Sequence, residues 1–133
     1  MVRLSKKVEY ALIAVKFIAS SKDKLVTAKE ISQKLNLSRE LIAKLLQKLK
    51  AKKILDSSQG INGGYKLNMK PDKISLSDVI VAIEGEQAIV ECLISGEDIE
   101  CCLFESCKIK GTINQIQKEF SKLLQSKMIS DFV

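Results

Sequence analysis

Every cysteine of the chain falls within one stretch, ECLISGEDIECCLFESC, running from Glu91 to Cys107. Cys92, Cys101, Cys102 and Cys107 follow the spacing C-x8-C-C-x4-C. Thiolates are soft donors that suit zinc, copper(I) or iron–sulfur clusters. Structural zinc usually takes paired cysteine knuckles a few residues wide, and this stretch has none. Cys101 and Cys102 are adjacent, and neighbouring side chains point apart in most backbone conformations. They are therefore poor co-ligands for one tetrahedral ion. An irregular set of three cysteines on a loop fits a cluster better. A disulfide switch and inert thiols are the alternatives that spacing leaves open.

The rest of the chain sets the terms for those thiols. At 133 residues it is one domain, or one domain with an extension. That is long enough to bury a core without help from disulfides. The opening MVRLSKKVEYAL has neither the apolar core nor the small-residue cleavage site of a signal peptide. No run approaches the roughly 18 uncharged apolar residues of a membrane span. These features predict a cytoplasmic protein with no membrane partner, where clustered cysteines more often serve metal or redox chemistry than structural disulfides. With no histidine, no phosphate-cradling glycine loop and no evident carboxylate pair, the chain does not read as an enzyme.

Charge divides the chain. Residues 1–75 carry 17 Lys and Arg against 6 Asp and Glu, whereas residues 76–133 carry 5 against 10. A basic half suits a polyanion, and an acidic half around thiols suits another task. We therefore divide the chain into a DNA-binding region, 1–75, and a region holding the cysteine loop and a dimerisation helix, 76–133.

The elements that must position both sites can be read from caps and periodicity. Ser5 caps a helix reaching about Ser20, with Val8, Leu12, Val15, Ile18 and Ala19 at helical spacing. Thr27 and Glu30 form a capping box that opens a short helix, with Ile31 and Leu35 inward, ending near Asn36. Ser38 caps a third helix, RELIAKLLQKLKAKK, whose stripe is Leu41, Ile42, Leu45, Leu46 and Leu49. ILDSSQGINGGYKLNM then reads as a hairpin with a Gly- and Asn-rich tip. Ser75 and Asp78 start another helix, carrying Val79, Ile80 and Ile83, which Gly85 ends. After the cysteines a long helix carries Ile109, Ile113, Ile116, Phe120, Leu123 and Leu124. That stripe is too apolar for a lone helix in water and predicts packing on a second copy of the chain. The fold expected is mainly α with a small β-hairpin wing: a winged helix-turn-helix followed by a long C-terminal dimerisation helix.

A helix-turn-helix with a basic second helix and a glycine-tipped wing is built to read double-stranded DNA. The second helix presents Ser38, Arg39, Glu40 and Ala43 near its N-terminus, where such helices enter the major groove. Lys44 and Lys48 on its flank, with Lys7 and Lys66, can neutralise phosphates. Gly63 and Gly64 allow a tight wing beside Tyr65, and Gln59 and Asn62 can bond to base edges or phosphates.

Taken together these segments resemble the Rrf-two family of bacterial transcription regulators, of the IscR and NsrR types. The resemblance is carried by RLSKKVEYAL at 3–12, AKEISQKLNLSRELIAKLLQKLKAKKIL at 28–55, GINGGYKL at 60–67 and ISLSDVIVAIEG at 74–85. The cysteines, CKIKGTINQIQKEF at 107–120 and the closing MISDFV extend it over nearly the whole chain. It implies a homodimer, and an iron–sulfur cluster (2Fe–2S or 4Fe–4S) that senses redox state, nitric oxide or cluster supply. In the family the second and third ligand cysteines stand six apart, which implies Cys92, Cys101 and Cys107 as ligands and leaves Cys102 spare. NsrR-type members also place an acidic residue just before the first-helix YAL, and it reaches the other subunit's cluster. Glu9 stands in that place.

The chain departs from the IscR pattern at three positions. Lys110 stands where IscR types place a histidine ligand, Ala43 where they place a glutamate, and Gln59 where they place an arginine. The operator is thus not expected to be the IscR one. A cluster-free member, governed by thiol oxidation or by a protein partner, is the alternative.

Overall fold

The computed structural model describes residues 3–22, 24–86 and 109–132. Within them lie five α-helices and one two-stranded sheet: α1 (Lys6–Ala19), α2 (Ala28–Leu35), α3 (Arg39–Ala51), β1 (Leu55–Ser58), β2 (Gly64–Leu67), α4 (Leu76–Glu84) and α5 (Lys110–Ser126). Single 3-10 turns occupy Pro71–Lys73 and Ile129–Asp131. No described helix is long and apolar enough to cross a membrane. The expected class, mainly helical with a small wing, is the observed one.

Helices α1 to α4 each start where a side chain can satisfy an orphan amide, whereas α5 follows Ile109 with no side-chain cap. Ser5 accepts from Val8 N–H, Thr27 from Glu30 N–H and Ser38 from Leu41 N–H. At α4 the box closes in both directions, with Ser75 accepting from Asp78 N–H and the Asp78 carboxylate accepting from Ser75 N–H. Helix α2 stops because Asn36 turns left-handed, at φ 55°, and α3 ends where Lys53 does the same at φ 64°.

The core gathers one face from α1, α3 and α4. From α3 come Ile42, Leu45, Leu46 and Leu49, and from α4 Val79, Ile80 and Ile83. On α1 the buried face is Val8, Ala11, Ala14, Val15 and Ile18, with Leu12 and Ala19 only partly covered. The sequence reading placed Leu12 and Ala19 on that face and passed over two alanines. Small side chains let α1 lie close to its neighbours, which rotates the buried face toward them.

The wing pairs antiparallel, Leu55 with Leu67 through Ser58 with Gly64. A further strand residue joins it. Val26 and Tyr65 exchange both backbone hydrogen bonds, at 2.9 and 2.7 Å. A Cβ on Gly64 would lie 2.9 Å from the Val26 carbonyl oxygen, so this approach needs glycine.

Residues 127–131 return to the middle of the chain. Leu76 N–H donates to the Lys127 carbonyl and Ile129 N–H to the Ile74 carbonyl, at 2.7 and 2.8 Å. Ile129 is 1% exposed and lies in the same core as Ile74. The long helix α5, which precedes this tail, packs on α4. Its apolar stripe divides in two. Ile113, Phe120 and Leu124 are half-buried on their own chain. Ile109, Ile116 and Leu123, spaced by seven, are exposed by 62, 44 and 52%. Cys92, Cys101, Cys102 and Cys107 lie outside the described residues.

Ile129 has a full side chain in the core, so Ile129→Ala should cost about 3 kcal/mol of unfolding free energy. Urea melts of the two proteins measure it. A difference under about 1 kcal/mol, typical of a surface site, would show that the tail does not close the core.

Candidate nucleic-acid interface

The turn Asn36–Leu37 joins α2 to α3 and fixes how the second helix leaves the core. Leu37 N–H reaches back to the Ser32 carbonyl at 3.0 Å, and Leu37 packs on the core beside Leu35. With Ile42, Leu45, Leu46 and Leu49 held inside, the first turn of α3 must point its remaining side chains outward. Ser38, Arg39, Glu40 and Lys44 are exposed and Ala43 is half-buried. The Ser38 oxygen already accepts the Leu41 amide, leaving its hydroxyl proton to donate outward. Among the described residues the only ion pair is Lys6–Glu9 at 3.1 Å, so Arg39 and Lys44 carry positive charge unopposed by a paired carboxylate.

The wing supplies a second exposed edge. Gly63 N–H donates to the Gly60 carbonyl at 3.0 Å and closes the tip. Gly60 is left-handed at φ 109°, and a Cβ on Gly63 would fall on the Ser58 carbonyl oxygen. Gln59 and Asn62 are exposed on this tip. Gly63 and Gly64 are half-buried, and Tyr65 packs against the core with both backbone groups bonded to Val26. Tyr65 thus holds the wing to the body.

Other residues singled out in the sequence lie at the opposite end of α3. Lys48 Nζ donates to the Ile83 carbonyl at 3.4 Å, on the last turn of α4. A cation there also favours the negative end of that helix. Ser5 Oγ donates to the Glu84 carboxylate beside it, and Lys7 is exposed in the same first turn of α1. From Ser38 to Lys48 is about 15 Å along the helix axis. The structure therefore separates Ser38–Lys44 from the Lys7 and Lys48 pair. It draws Lys48 toward α4, where a phosphate contact would compete with a backbone carbonyl. Glu9 is half-exposed and faces Lys6, whose ammonium it holds above its usual pKa by hydrogen bond and charge. Among the described residues no three His, Cys, Asp or Glu side chains gather to hold a metal.

Sequence reasoning missed Ile61. It is fully exposed at the wing tip, the most exposed large apolar side chain among the described residues. The available signal was its position: an isoleucine between Gly60 and Asn62 has no core to enter. Reasoning also missed Val26, because one bridging residue leaves no alternating pattern.

Comparison with known proteins places this architecture. Residues 4–133 match the family model Rrf2, described as an iron-dependent transcriptional regulator. Protein aau3 of Rhizobium meliloti is 31% identical over 131 residues, 98% of this chain and 84% of that one. The HTH-type transcriptional regulator NsrR of Bacillus licheniformis is 26% identical, covering 98 and 92%. Among solved structures, CymR, the global cysteine regulator of B. subtilis, superposes with a TM-score of 0.77 at 26% identity, over 99 and 96% of the two chains. The IscR of T. potens shares the fold, with a TM-score of 0.69 at 21% identity over 98 and 85%. The family and NsrR are described as transcriptional regulators, and CymR as a global regulator, rather than as enzymes. A winged helix-turn-helix with a basic reading helix, matched from residue 4 to residue 133, makes this chain a member of the Rrf2 family of transcriptional regulators.

Proposed function

We propose that this chain is a homodimeric, DNA-binding regulator, working in the cytoplasm, whose affinity follows the state of the thiols between Cys92 and Cys107. The observation that carries the reading is the position of α4. Its last turn is bonded to the reading helix through Lys48 and to the start of α1 through Ser5. The cysteine segment follows directly after it. A change in that segment's conformation would bear on Ile83 and Glu84, and through them on α3.

Contact with DNA is assigned to Ser38, Arg39, Glu40, Ala43 and Lys44 in a major groove and to Gln59, Ile61, Asn62 and Gly63 at the wing. Gly64 and Tyr65 hold the wing in place. Lys7 and Lys48 are auxiliary phosphate contacts, Lys48 only when released from Ile83. Lys44→Ala should weaken binding to all sequences and reduce the salt slope by about 0.9 for each protomer, about 1.8 for the dimer. Ile61→Ser should instead leave the slope unchanged and cost about fivefold in affinity, through lost apolar contact with the groove. Binding isotherms at several salt concentrations separate the two. Parent-like affinity for both variants would remove this face from the interface.

The donor set fits an iron–sulfur cluster. The thiols are soft and lie close in sequence, and the family is described as iron-dependent. Ligation is assigned to Cys92, Cys101 and Cys107, the set that the family resemblance implies through the six-residue gap between its second and third ligand cysteines. When bound, a cluster of 2Fe–2S or 4Fe–4S type would supply a group responsive to oxidation or nitric oxide. Glu9 is proposed as an oxygen donor to the partner subunit's cluster, a role that requires its pair with Lys6 to open. The similarity to a cysteine regulator supports a second reading, in which these thiols respond by oxidation or to a partner protein without a cluster. Anaerobic iron and sulfide counts decide between them. Serine at Cys92, Cys101 or Cys107 should abolish both, and serine at Cys102 should not. Lys48→Met should then preserve the iron while shrinking the difference in DNA affinity between the two thiol states. Iron-free parent protein whose DNA affinity still follows oxidation would favour the second reading.

Dimerisation is assigned to the outer stripe Ile109, Ile116 and Leu123. A seven-residue repeat keeps one face of a helix toward a partner helix. Ile116→Asp puts an unpaired charge in that seam and should give a monomer on a sizing column, with loss of tight DNA binding. A variant that elutes with the parent would relocate the interface.

A further inference from the structure

Beyond the reading face and the thiols, the DNA-binding half has a cleft of 340 Å³ at the base of the wing. It lies between the last turn of α1, the turn after it and the outgoing end of β2. Lys22, Lys24, Lys66 and Lys70 line it, together with apolar surface from Leu67 and Pro71. No carboxylate lines it among the described residues; Asp23 stands between two of the lysines in sequence and lies outside them.

The backbone holds these cations together. Ser21 N–H donates to the Ile18 carbonyl and Lys24 N–H to the Ser21 carbonyl, each at 3.1 Å. Lys22 sits between them in the left-handed region, at φ 45°, which costs a β-carbon-bearing residue about 1 kcal/mol. On the other wall Asn68 is fixed twice, its N–H on the Ile54 carbonyl and its side-chain amide on the Lys53 carbonyl. Four lysines line one concavity, and a bound anion would offset the like charge they bring to it.

The cleft lies apart from the reading residues. From Gly63 to Asn68 the strand advances about 16 Å, and α3 is about 20 Å long from its reading end to the turn that Asn68 holds. A duplex seated on Ser38–Lys44 and the wing tip therefore leaves the wing base open. Its volume lies in the range of small-molecule sites, about 300–1,000 Å³. Mixed apolar and cationic lining suits an organic anion better than a bare ion.

We infer that this cleft binds a small organic anion bearing a diphosphate, of nucleotide size, its phosphates on the lysines and its organic part on Leu67 and Pro71. Calorimetric titration of the full chain with ADP, at about 0.15 M salt to screen weak surface charge, tests this. Adenosine is the uncharged comparison. ADP should bind once per chain and adenosine should not. The double variant Lys22→Ala/Lys70→Ala, altered at two exposed side chains, should lose at least tenfold in ADP affinity. Lys44→Ala should bind ADP like the parent. The double variant should also keep the parent's salt slope on DNA. No heat with ADP, equal binding of adenosine, or ADP affinity unchanged in the double variant would each overturn the site. A DNA salt slope flattened as in Lys44→Ala would overturn it too, because the lysines would then belong to the duplex face.

Discussion

The exchange of two backbone hydrogen bonds between Val26 and Tyr65 is the constraint from which the winged helix-turn-helix takes its shape. An isolated two-stranded hairpin is marginal in water, and a third strand residue anchors this one. The same contact fixes the residue just before the Thr27 cap, so α2 and the wing start from one point. It works only because Gly64 has no side chain to hold Val26 away. Tyr65, packed on the core beneath, turns the pair into a fixed hinge between wing and body.

From that point the packing runs on to α4, which precedes the cysteines in sequence. Helix α4 packs against α1, α3 and α5. It is anchored at its first turn by a closed capping box and tied at its last by Lys48 and Ser5. A rigid rod with both ends bonded transmits displacement better than one held by apolar packing alone, which tolerates sliding. The division of α5 into an inner and an outer stripe follows from the same packing. One helix cannot cover both of its apolar faces with α4, so three large side chains are left toward solvent.

Much of this was legible in the sequence because caps and turns are local. Ser5, Thr27, Ser38 and Ser75 mark helix starts through their own hydroxyls, and Gly60, Gly63 and Gly64 mark the wing. Longer-range features left fainter traces. Ala11 and Ala14 are buried for their small size, which a search for large apolar residues overlooks. Val26 bridges through its backbone, which any residue could do. Lys48 looked like every other lysine on α3 until α4 was placed beside it. Lys22 and Lys66 are 44 positions apart in the chain, and only the fold brings them to one cleft. The family motif around the cysteines suggested the chemistry; how four thiols are arranged in space is not encoded by their spacing alone.

The return of residues 127–131 to Ile74–Leu76 bears on the order in which the protein is made. Chains emerge from the ribosome N-terminus first and their parts fold as they become available. Here the reading helix and wing are synthesised early, yet the core beneath them stays open at Ile74 until Ile129 has appeared. A nascent chain stopped just after α5 would hold a complete helix-turn-helix sequence over an uncovered apolar patch. The turn Ile129–Asp131 therefore completes a core that the first half has already begun: the helix-turn-helix rests on a finished base only once the residues after α5 are present.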